Sequence, residues 1–215
     1  MSTAVINKHQ APRPLPPALP GYEHINRYWD RENASFAAKI LPGQYYVSMT
    51  GEIITTVLGS CISACIRDRR TGIGGMNHFM LPKDGNAPPS ANNSAAARYG
   101  NYAMETLIND ILKNGGRRPN LEVKVFGGGQ ILAQMTDIGA SNIRFIHEYL
   151  ELENLYLAAE DVGGQSPRKV LYYPDSGRVR VRKLRVLKNE TIIQRERQYL
   201  NKLEERPVTG NIELF

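Results

Sequence analysis

Cysteine is scarce in this chain: its 215 residues include two, Cys61 and Cys65. Two cysteines are too few for the disulfide framework of a small secreted domain, and on one strand they would be badly placed to bridge to each other. The opening MSTAVINKHQAPRPLPP lacks the apolar run of a secretory signal. No stretch approaches the roughly 18 uncharged apolar residues that a membrane span needs. These absences predict a reduced, cytoplasmic protein.

Motifs that bind cofactors are also missing. The chain has no G-x-G-x-x-G fingerprint and no H-E-x-x-H motif, and Gly127-Gly-Gly129 lacks the Lys-Ser/Thr pair of a phosphate loop, so we interpret it as a tight turn. The Cys-x3-Cys pair has no second ligand pair at structural zinc spacing, and His9, His24 and His147 stand in no motif. We interpret Cys65 as a core residue. We therefore do not expect a zinc site.

Positive charge is concentrated near the C-terminal end of the chain. The net charge is +6, and residues 178–206 carry ten Lys or Arg against four Glu, which accounts for the whole excess. Such a segment is typical of contact with nucleic acid, an anionic membrane surface or an acidic partner. However, no aromatic stacking platform interleaves the charges. We therefore favour an alternating strand at Arg178–Arg182 followed by a charged helix, and we expect no nucleic-acid binding.

The composition, 41% hydrophobic and 22% charged, is that of a soluble globular protein with a sizeable core. Five prolines among the first 20 residues favour an extended chain. We divide the sequence into a Pro-rich, flexible extension (residues 1–41), a main domain (42–188), and a C-terminal charged helix and tail (189–215). Within the extension, residues 21–40 hold aromatic side chains that can dock on the domain, and part of this stretch can be helical.

The main domain mixes strand and helix patterns. Apolar residues at helical spacing predict a helix over Ala95–Lys113, and Ile143–Leu155 is helix-like. Runs of β-branched and aromatic residues between turn signals predict strands, at residues 44–49, 53–58, 61–67, 74–81, 121–126, 157–162, 169–173 and 178–187. Many strands joined by short turns, with two or three helices packed on them, indicate an α+β fold: a layered domain with a mostly antiparallel or mixed sheet.

One cysteine and one histidine form the sharpest candidate for chemistry. Cys61 ends the string TTVLGSC, and His78 ends GGMNH. A cysteine attacks a carbonyl as the thiolate, and a nearby imidazole is the usual means of lowering its pKa. If a four-residue hairpin loop pairs Arg67 with Gly72, Cys61 lies directly opposite His78, with Cβ atoms about 4.5–5.5 Å apart. A one-residue change in the loop would instead place Phe79 opposite Cys61.

The residues before Cys61 supply further groups. Gly59 and Ser60 precede it in a sequence that permits a turn, and their backbone N–H groups are suited to hold the oxyanion formed when an amide is attacked. Thr55 lies on the preceding strand, where its hydroxyl or carbonyl can orient the imidazole. Its neighbour Thr56 competes for that role.

Six strings occur in a fixed order along the chain: LGSCISACIRD, GGMNHFMLP, RYGNYAMETLINDILKNGG, KVFGGG, DVGGQSPRKV and PDSGRV. In these the sequence resembles the chemoreceptor glutamine deamidase family, CheD. The resemblance covers roughly residues 42–187. Its most specific part is GSC followed seventeen residues after Cys61 by His78.

The resemblance implies a cytoplasmic enzyme of bacterial chemotaxis that hydrolyses glutamine side-chain amides of methyl-accepting chemoreceptors to glutamates. It implies Cys61 as nucleophile, His78 as general base and Thr55 as the orienting threonine, without cofactor or metal. The implied fold is a layered α/β sandwich similar to bacterial toxin deamidases. The implied partners are receptor cytoplasmic helices and, in some bacteria, the chemotaxis phosphatase CheC, with membrane contact only through receptors. We expect the loop Lys83–Ser94 to form one wall of a substrate groove.

Two other hypotheses use the same residues differently. A glutamyl methyl ester hydrolase would follow the same acyl-enzyme route, and its product would be methanol instead of ammonia. A non-catalytic adaptor would bind receptors or a phosphatase and leave Cys61 unused.

Overall fold

The computed structural model describes residues 14–82, 95–131, 136–184 and 190–205, and these ranges contain ten strands and three α-helices. The helices are α1 (Ala95–Lys113), α2 (Thr136–Leu152) and α3 (Glu190–Glu205). The strands are β1 (Asn26–Asp30), β2 (Ser35–Lys39), β3 (Tyr45–Ser48), β4 (Ile53–Leu58), β5 (Ile62–Asp68), β6 (Gly74–Asn77), β7 (Leu121–Gly127), β8 (Tyr156–Val162), β9 (Arg168–Tyr173) and β10 (Arg178–Lys183).

The strands form two mixed five-stranded sheets. Sheet A has the order β1-β2-β4-β9-β10, with β2 and β4 parallel and the other neighbours antiparallel. Sheet B has the order β3-β6-β5-β7-β8, in which β7 and β8 are the parallel pair. Residues of both sheets join one hydrophobic cluster, among them Ile54 and Val170 of sheet A and Ile66 and Val125 of sheet B. The α+β fold predicted from the sequence is confirmed.

Helices α1 and α2 cover sheet B. The apolar stripe of α1 buries Met104, Leu107, Ile108 and Ile111 completely, and the helix packs on β3, β5 and β6. Helix α2 packs on β5 and β8 and contacts α1. These contacts are expected, because a helix with one apolar face is stable in water only when that face is covered.

The stretch before residue 42 contributes two strands to sheet A. Strands β1 and β2 lie within the stretch assigned to a flexible, partly helical extension, and they pair as an antiparallel hairpin whose second strand runs parallel to β4. The aromatic rings of Trp29 and Phe36 stack edge to face across the hairpin, 5.0 Å apart. Tyr22 and Ile25 are buried in the core. Of the aromatic residues that suggested docking, Tyr28 and Trp29 lie on β1 and Phe36 lies on β2, so they are part of sheet A.

The predicted register of the β5–β6 hairpin is wrong by two residues. Arg67 pairs with Gly74 instead of Gly72. The loop is longer because Asp68 organises it: its backbone N–H donates to Ile73, and its carboxylate accepts the N–H groups of Arg70 and Thr71. Strand alternation has a period of two, so a shift of two residues keeps the same faces together. Cys61 and His78 are consequently diagonal neighbours instead of direct opposites.

The basic C-terminal segment forms a strand and a helix, as the sequence indicated. In β10 the arginines Arg178, Arg180 and Arg182 are exposed, while the valines between them are partly buried. Helix α3 is mostly exposed and charged, but Glu196 and Leu200 are buried. A buried carboxylate on an otherwise solvated helix requires partners, and these lie in the candidate active site.

Candidate active site

A short loop between β4 and β5, residues 59–61, forms the centre of the site. Its three carbonyl groups all accept hydrogen bonds: that of Gly59 from the N–H of Gly129 at 2.7 Å, and that of Cys61 from the N–H of Gly128 at 2.8 Å. The carbonyl of Ser60 accepts from the side-chain amide of Asn142 at 2.8 Å. Because these hydrogen bonds fix the orientation of the carbonyls, the three N–H groups of loop 59–61 can all donate to one acceptor group.

In the structure, the acceptor for these N–H groups is the side-chain carboxylate of Glu196 on α3. Its Oε1 accepts the N–H groups of Gly59 at 2.8 Å and Cys61 at 3.3 Å. Its Oε2 accepts the N–H of Ser60 at 2.9 Å and the hydroxyl of Ser60 at 2.6 Å. Loop 59–61 therefore binds an anion with oriented backbone donors, which is the arrangement of an oxyanion hole.

Glycines let the loop and its ligand come this close. A Cβ on Gly59 would lie 2.8 and 2.9 Å from the two Glu196 oxygens and 2.2 Å from Ile131 Cδ1. Gly127 adopts φ +117°, and a Cβ there would lie 2.1 Å from the carbonyl oxygen of Cys61. The glycine run 127–129, interpreted from sequence as a tight turn, is thus the support on which loop 59–61 rests.

The imidazole of His78 is held by a threonine. Its Nδ1 lies 2.7 Å from Oγ1 of Thr56, and that hydroxyl donates to the carbonyl of Ile40 at 2.9 Å. A threonine hydroxyl has one proton, and Thr56 donates that proton to the carbonyl of Ile40. The hydroxyl can therefore only accept from His78, so Nδ1 of His78 must be the protonated nitrogen that donates to Thr56. Nε2 is then the basic nitrogen. It is buried and has no hydrogen-bond partner among the residues described.

The hydroxyl and carbonyl of Thr55, predicted to orient the imidazole, have other hydrogen-bond partners, and the carbonyl accepts the N–H of Ile40 at 3.0 Å. The hydroxyl of Thr55 donates to the carbonyl of Val170 on β9 at 2.9 Å. Successive side chains of a strand point to opposite faces, so of the two adjacent threonines on β4 only Thr56 points to His78. The hydroxyl that lies beside His78 is therefore that of Thr56, the alternative left open by the sequence, and the orienting role of Thr55 stays a prediction of the family resemblance.

Cys61 and His78 are brought together and are closed off from solvent. Their exposed fractions are 0% and 2%, and the thiol sulfur, a His78 ring nitrogen and a Glu196 oxygen lie within 4.8 Å of one another. Burial, followed by the charge of Glu196, raises the pKa of the Cys61 thiol well above its ordinary value. Burial lowers the pKa of His78 from 6.5 to about 3. In this state the pair is a neutral thiol beside a neutral imidazole.

A thiol, an imidazole and a carboxylate this close together are also a set of metal ligands. The spacing of Cys and His residues did not point to a metal site, because Glu196 lies far from Cys61 and His78 along the chain. In the structure, however, both carboxylate oxygens are already bound by N–H and O–H donors. The carboxylate is therefore satisfied without a cation.

Two further predictions concern the substrate groove and the absence of a membrane-spanning segment. The loop Lys83–Ser94, expected to form a wall of the groove, lies outside the described residues. The part of the chain that the structure covers has no helix that combines the length and apolar character needed to cross a membrane.

Comparison with known proteins identifies close relatives of the chain. A family model described as "CheD chemotactic sensory transduction" matches residues 80–183. A protein of Halorhodospira halophila, named a probable chemoreceptor glutamine deamidase CheD, is 55% identical over 204 residues, 94% of each chain. Proteins with the same name are 50% identical in Hahella chejuensis, over 95% of this chain and 97% of the relative, and 54% identical in a Janthinobacterium strain, over 90% and 97%.

Proposed function

The chain belongs to the CheD family, and on this premise we propose that it is a protein-glutamine deamidase that converts glutamine side chains of chemoreceptors to glutamates. The observation that carries the proposal is the juxtaposition of three groups: a thiol, an imidazole with its basic nitrogen unpartnered, and a set of backbone N–H donors beside the thiol. Nucleophile, base and oxyanion donors are the parts that acyl transfer requires.

The first chemical step forms a thioester. Nε2 of His78 takes the proton of the Cys61 thiol, and the sulfur attacks the carboxamide carbon of the substrate glutamine. The carbonyl electron pair moves to oxygen, and the N–H groups of loop 59–61 hold the resulting oxyanion. His78 then gives the proton to the carboxamide nitrogen, the carbon–nitrogen bond breaks, and ammonia leaves.

The second step is hydrolysis of the thioester. A water molecule loses a proton to Nε2 of His78 and attacks the same carbonyl carbon, again with the oxyanion in loop 59–61. The carbon–sulfur bond breaks, the proton returns to the sulfur of Cys61, and a glutamate side chain is released. Thr56 keeps Nδ1 of His78 protonated throughout, so that Nε2 is the nitrogen that exchanges protons.

The test is mass spectrometry of a purified chemoreceptor cytoplasmic fragment incubated with the protein. We expect defined peptides to gain about 1 Da, the difference between glutamine and glutamate, with release of ammonia. Cys61→Ala should abolish the gain. Cys65→Ala is the matched control, because Cys65 is equally buried and free but lies outside the site. Deamidation that persists in Cys61→Ala would refute the assigned nucleophile, and methanol release without ammonia would identify an esterase.

We further propose that the protein acts in the cytoplasm, where its two free cysteines stay reduced. Binding to a CheC phosphatase remains a prediction from the family resemblance. Pull-down of purified CheC by the full chain would test it.

A further inference from the structure

Glu196 is the one buried charged side chain of α3 among those described. Its neighbours Arg195 and Arg197 are exposed. Burying a carboxylate is costly unless it is paired or hydrogen-bonded. No ion pair of the described residues includes Glu196, so the donors of loop 59–61 are what hold it. The helix has thus placed an anion in the oxyanion hole.

The chemical identity of this anion is significant. If the protein is the deamidase proposed above, its product is a glutamate side chain whose carboxylate is released between the Cys61 sulfur and loop 59–61. Glu196 is a glutamate side chain in that position, with both oxygens on the loop donors and one within 4.8 Å of the sulfur. A product in the site would make the same contacts.

Other residues on the same face of α3 as Glu196 also pack against the domain. Tyr199 and Leu200 follow Glu196 at the i+3 and i+4 positions, which lie on one side of a helix. The hydroxyl of Tyr199 hydrogen-bonds that of Tyr99 on α1. A Cβ on Gly43 would lie 2.8 Å from the Tyr199 ring, so the glycine leaves room for it. The surface around the thiol therefore accepts a helix that projects one glutamate side chain into the site.

From these contacts we propose that α3 occupies the surface on which the receptor helix binds, with Glu196 in the place of the product glutamate, so that the chain inhibits itself until substrate displaces α3. The proposal rests on the proposed function and adds to it a regulation of the same site. While α3 is docked, Cys61 is fully buried and no substrate can reach its sulfur. Because α3 is part of the same chain, it competes with substrate at a high effective concentration. A higher substrate concentration is then needed to displace α3 and reach a given rate, and no separate inhibitor protein is required.

The first test compares kcat/KM for receptor-fragment deamidation by the full-length chain and by Glu196→Ala. We expect a rise on the order of tenfold, the effect of losing about 1.4 kcal/mol of α3 docking. Gln198→Ala is the matched control, since Gln198 is exposed on the same helix and should leave the rate unchanged. A folded Glu196→Ala enzyme with an unchanged or lower kcat/KM, beside an active parent chain, would overturn the proposal and leave the deamidase assignment standing.

A second measurement does not depend on deamidase activity. Iodoacetamide labelling of Cys61, located by peptide mass spectrometry, should be faster in Glu196→Ala than in the parent chain, with little change at Cys65. Equal labelling of Cys61 in the two proteins would contradict the occlusion. If labelling rises but neither protein deamidates any receptor fragment, the proposed function fails while the occlusion by α3 is supported.

A third measurement tests whether residue 196 lies where the reacting side chain lies. The Glu196→Gln chain presents a carboxamide to its own thiol, so water should convert it to a carboxylate with loss of ammonia. The α3 peptide would then gain about 1 Da with incubation time. The same peptide in the Glu196→Gln, Cys61→Ala double variant should not change. No conversion, or equal conversion in both, would refute this placement.

Discussion

Replacing Thr56 by valine removes the hydroxyl that holds the imidazole while keeping the shape of the side chain. Two hydrogen bonds are lost, one from Nδ1 of His78 at 2.7 Å and one to the carbonyl of Ile40 at 2.9 Å. Each buried polar group left unpaired costs about 1–3 kcal/mol. The released imidazole can also adopt the other tautomer, in which Nε2 carries the proton and is no longer a base.

We therefore expect Thr56→Val to lower kcat about 10- to 100-fold, a part of the 10²–10⁴-fold that general base catalysis typically contributes. Thr55→Val is the matched control on the same strand. It loses one hydrogen bond, to Val170, and should destabilise the fold by about 1 kcal/mol with kcat within about twofold of the parent enzyme.

The assay is steady-state ammonia release at saturating receptor fragment, with urea unfolding of each variant to separate stability from activity. Nitrogen NMR of the imidazoles reports the tautomer directly, and only Thr56→Val should change the Nδ1–H signal of His78. Equal loss of kcat in the two variants, or a loss confined to Thr55→Val, would refute the assignment of the orienting role to Thr56.

Three further predictions concern the same site. His78 has a pKa of about 3 when folded against an ordinary 6.5, so the unfolded chain binds the extra proton between these values and stability falls as pH decreases through that range. Urea unfolding at pH 7 and 5 should show roughly 2 kcal/mol more acid destabilisation in the parent chain than in His78→Gln, and equal losses would contradict burial of the neutral imidazole. Gly59→Ala places a Cβ in the oxyanion hole, so ammonia release should fall to near background, with thermal unfolding reporting about 1–3 kcal/mol of strain; retained activity would mean that the loop donors are not used. Asn142→Ala frees the carbonyl of Ser60 and the N–H of Leu81 and should cost about 1–3 kcal/mol in urea unfolding together with a lower kcat, whereas a stability loss with unchanged kcat would make Asn142 purely structural.

Local patterns predicted the parts of the fold and site that depend on neighbours in sequence. Strands β3 to β10 follow from runs of β-branched and aromatic residues, and helix α1 follows from the spacing of its apolar residues, whereas β1 and β2 were not predicted. Cys61 and His78 stand in short distinctive strings. The register between them was predicted wrongly because Asp68 sets the length of the hairpin loop through contacts with Arg117 and Asn120 as well as within the turn. Such contacts between distant segments leave no mark in the hairpin sequence itself.

The choice between Thr55 and Thr56 also depended on tertiary structure. Both are good strand residues, and which of them faces His78 is decided by how β4 is seated between β2 and β9. Glu196 gave no signal at all, because in sequence it is one acidic residue of a charged, apparently solvated helix. Its role emerges only when α3 folds back over loop 59–61, more than a hundred residues away along the chain.

The central claim is that Cys61 forms a thioester with a receptor glutamine, and rapid acid quench of the first turnover tests it most directly. The account predicts that ammonia is released in step with a covalent adduct on the Cys61 peptide, heavier by the substrate peptide less about 17 Da for the lost ammonia. The adduct should decay as glutamate product forms. Ammonia release that is undiminished by Cys61→Ala, or an adduct located at Cys65, would contradict the account.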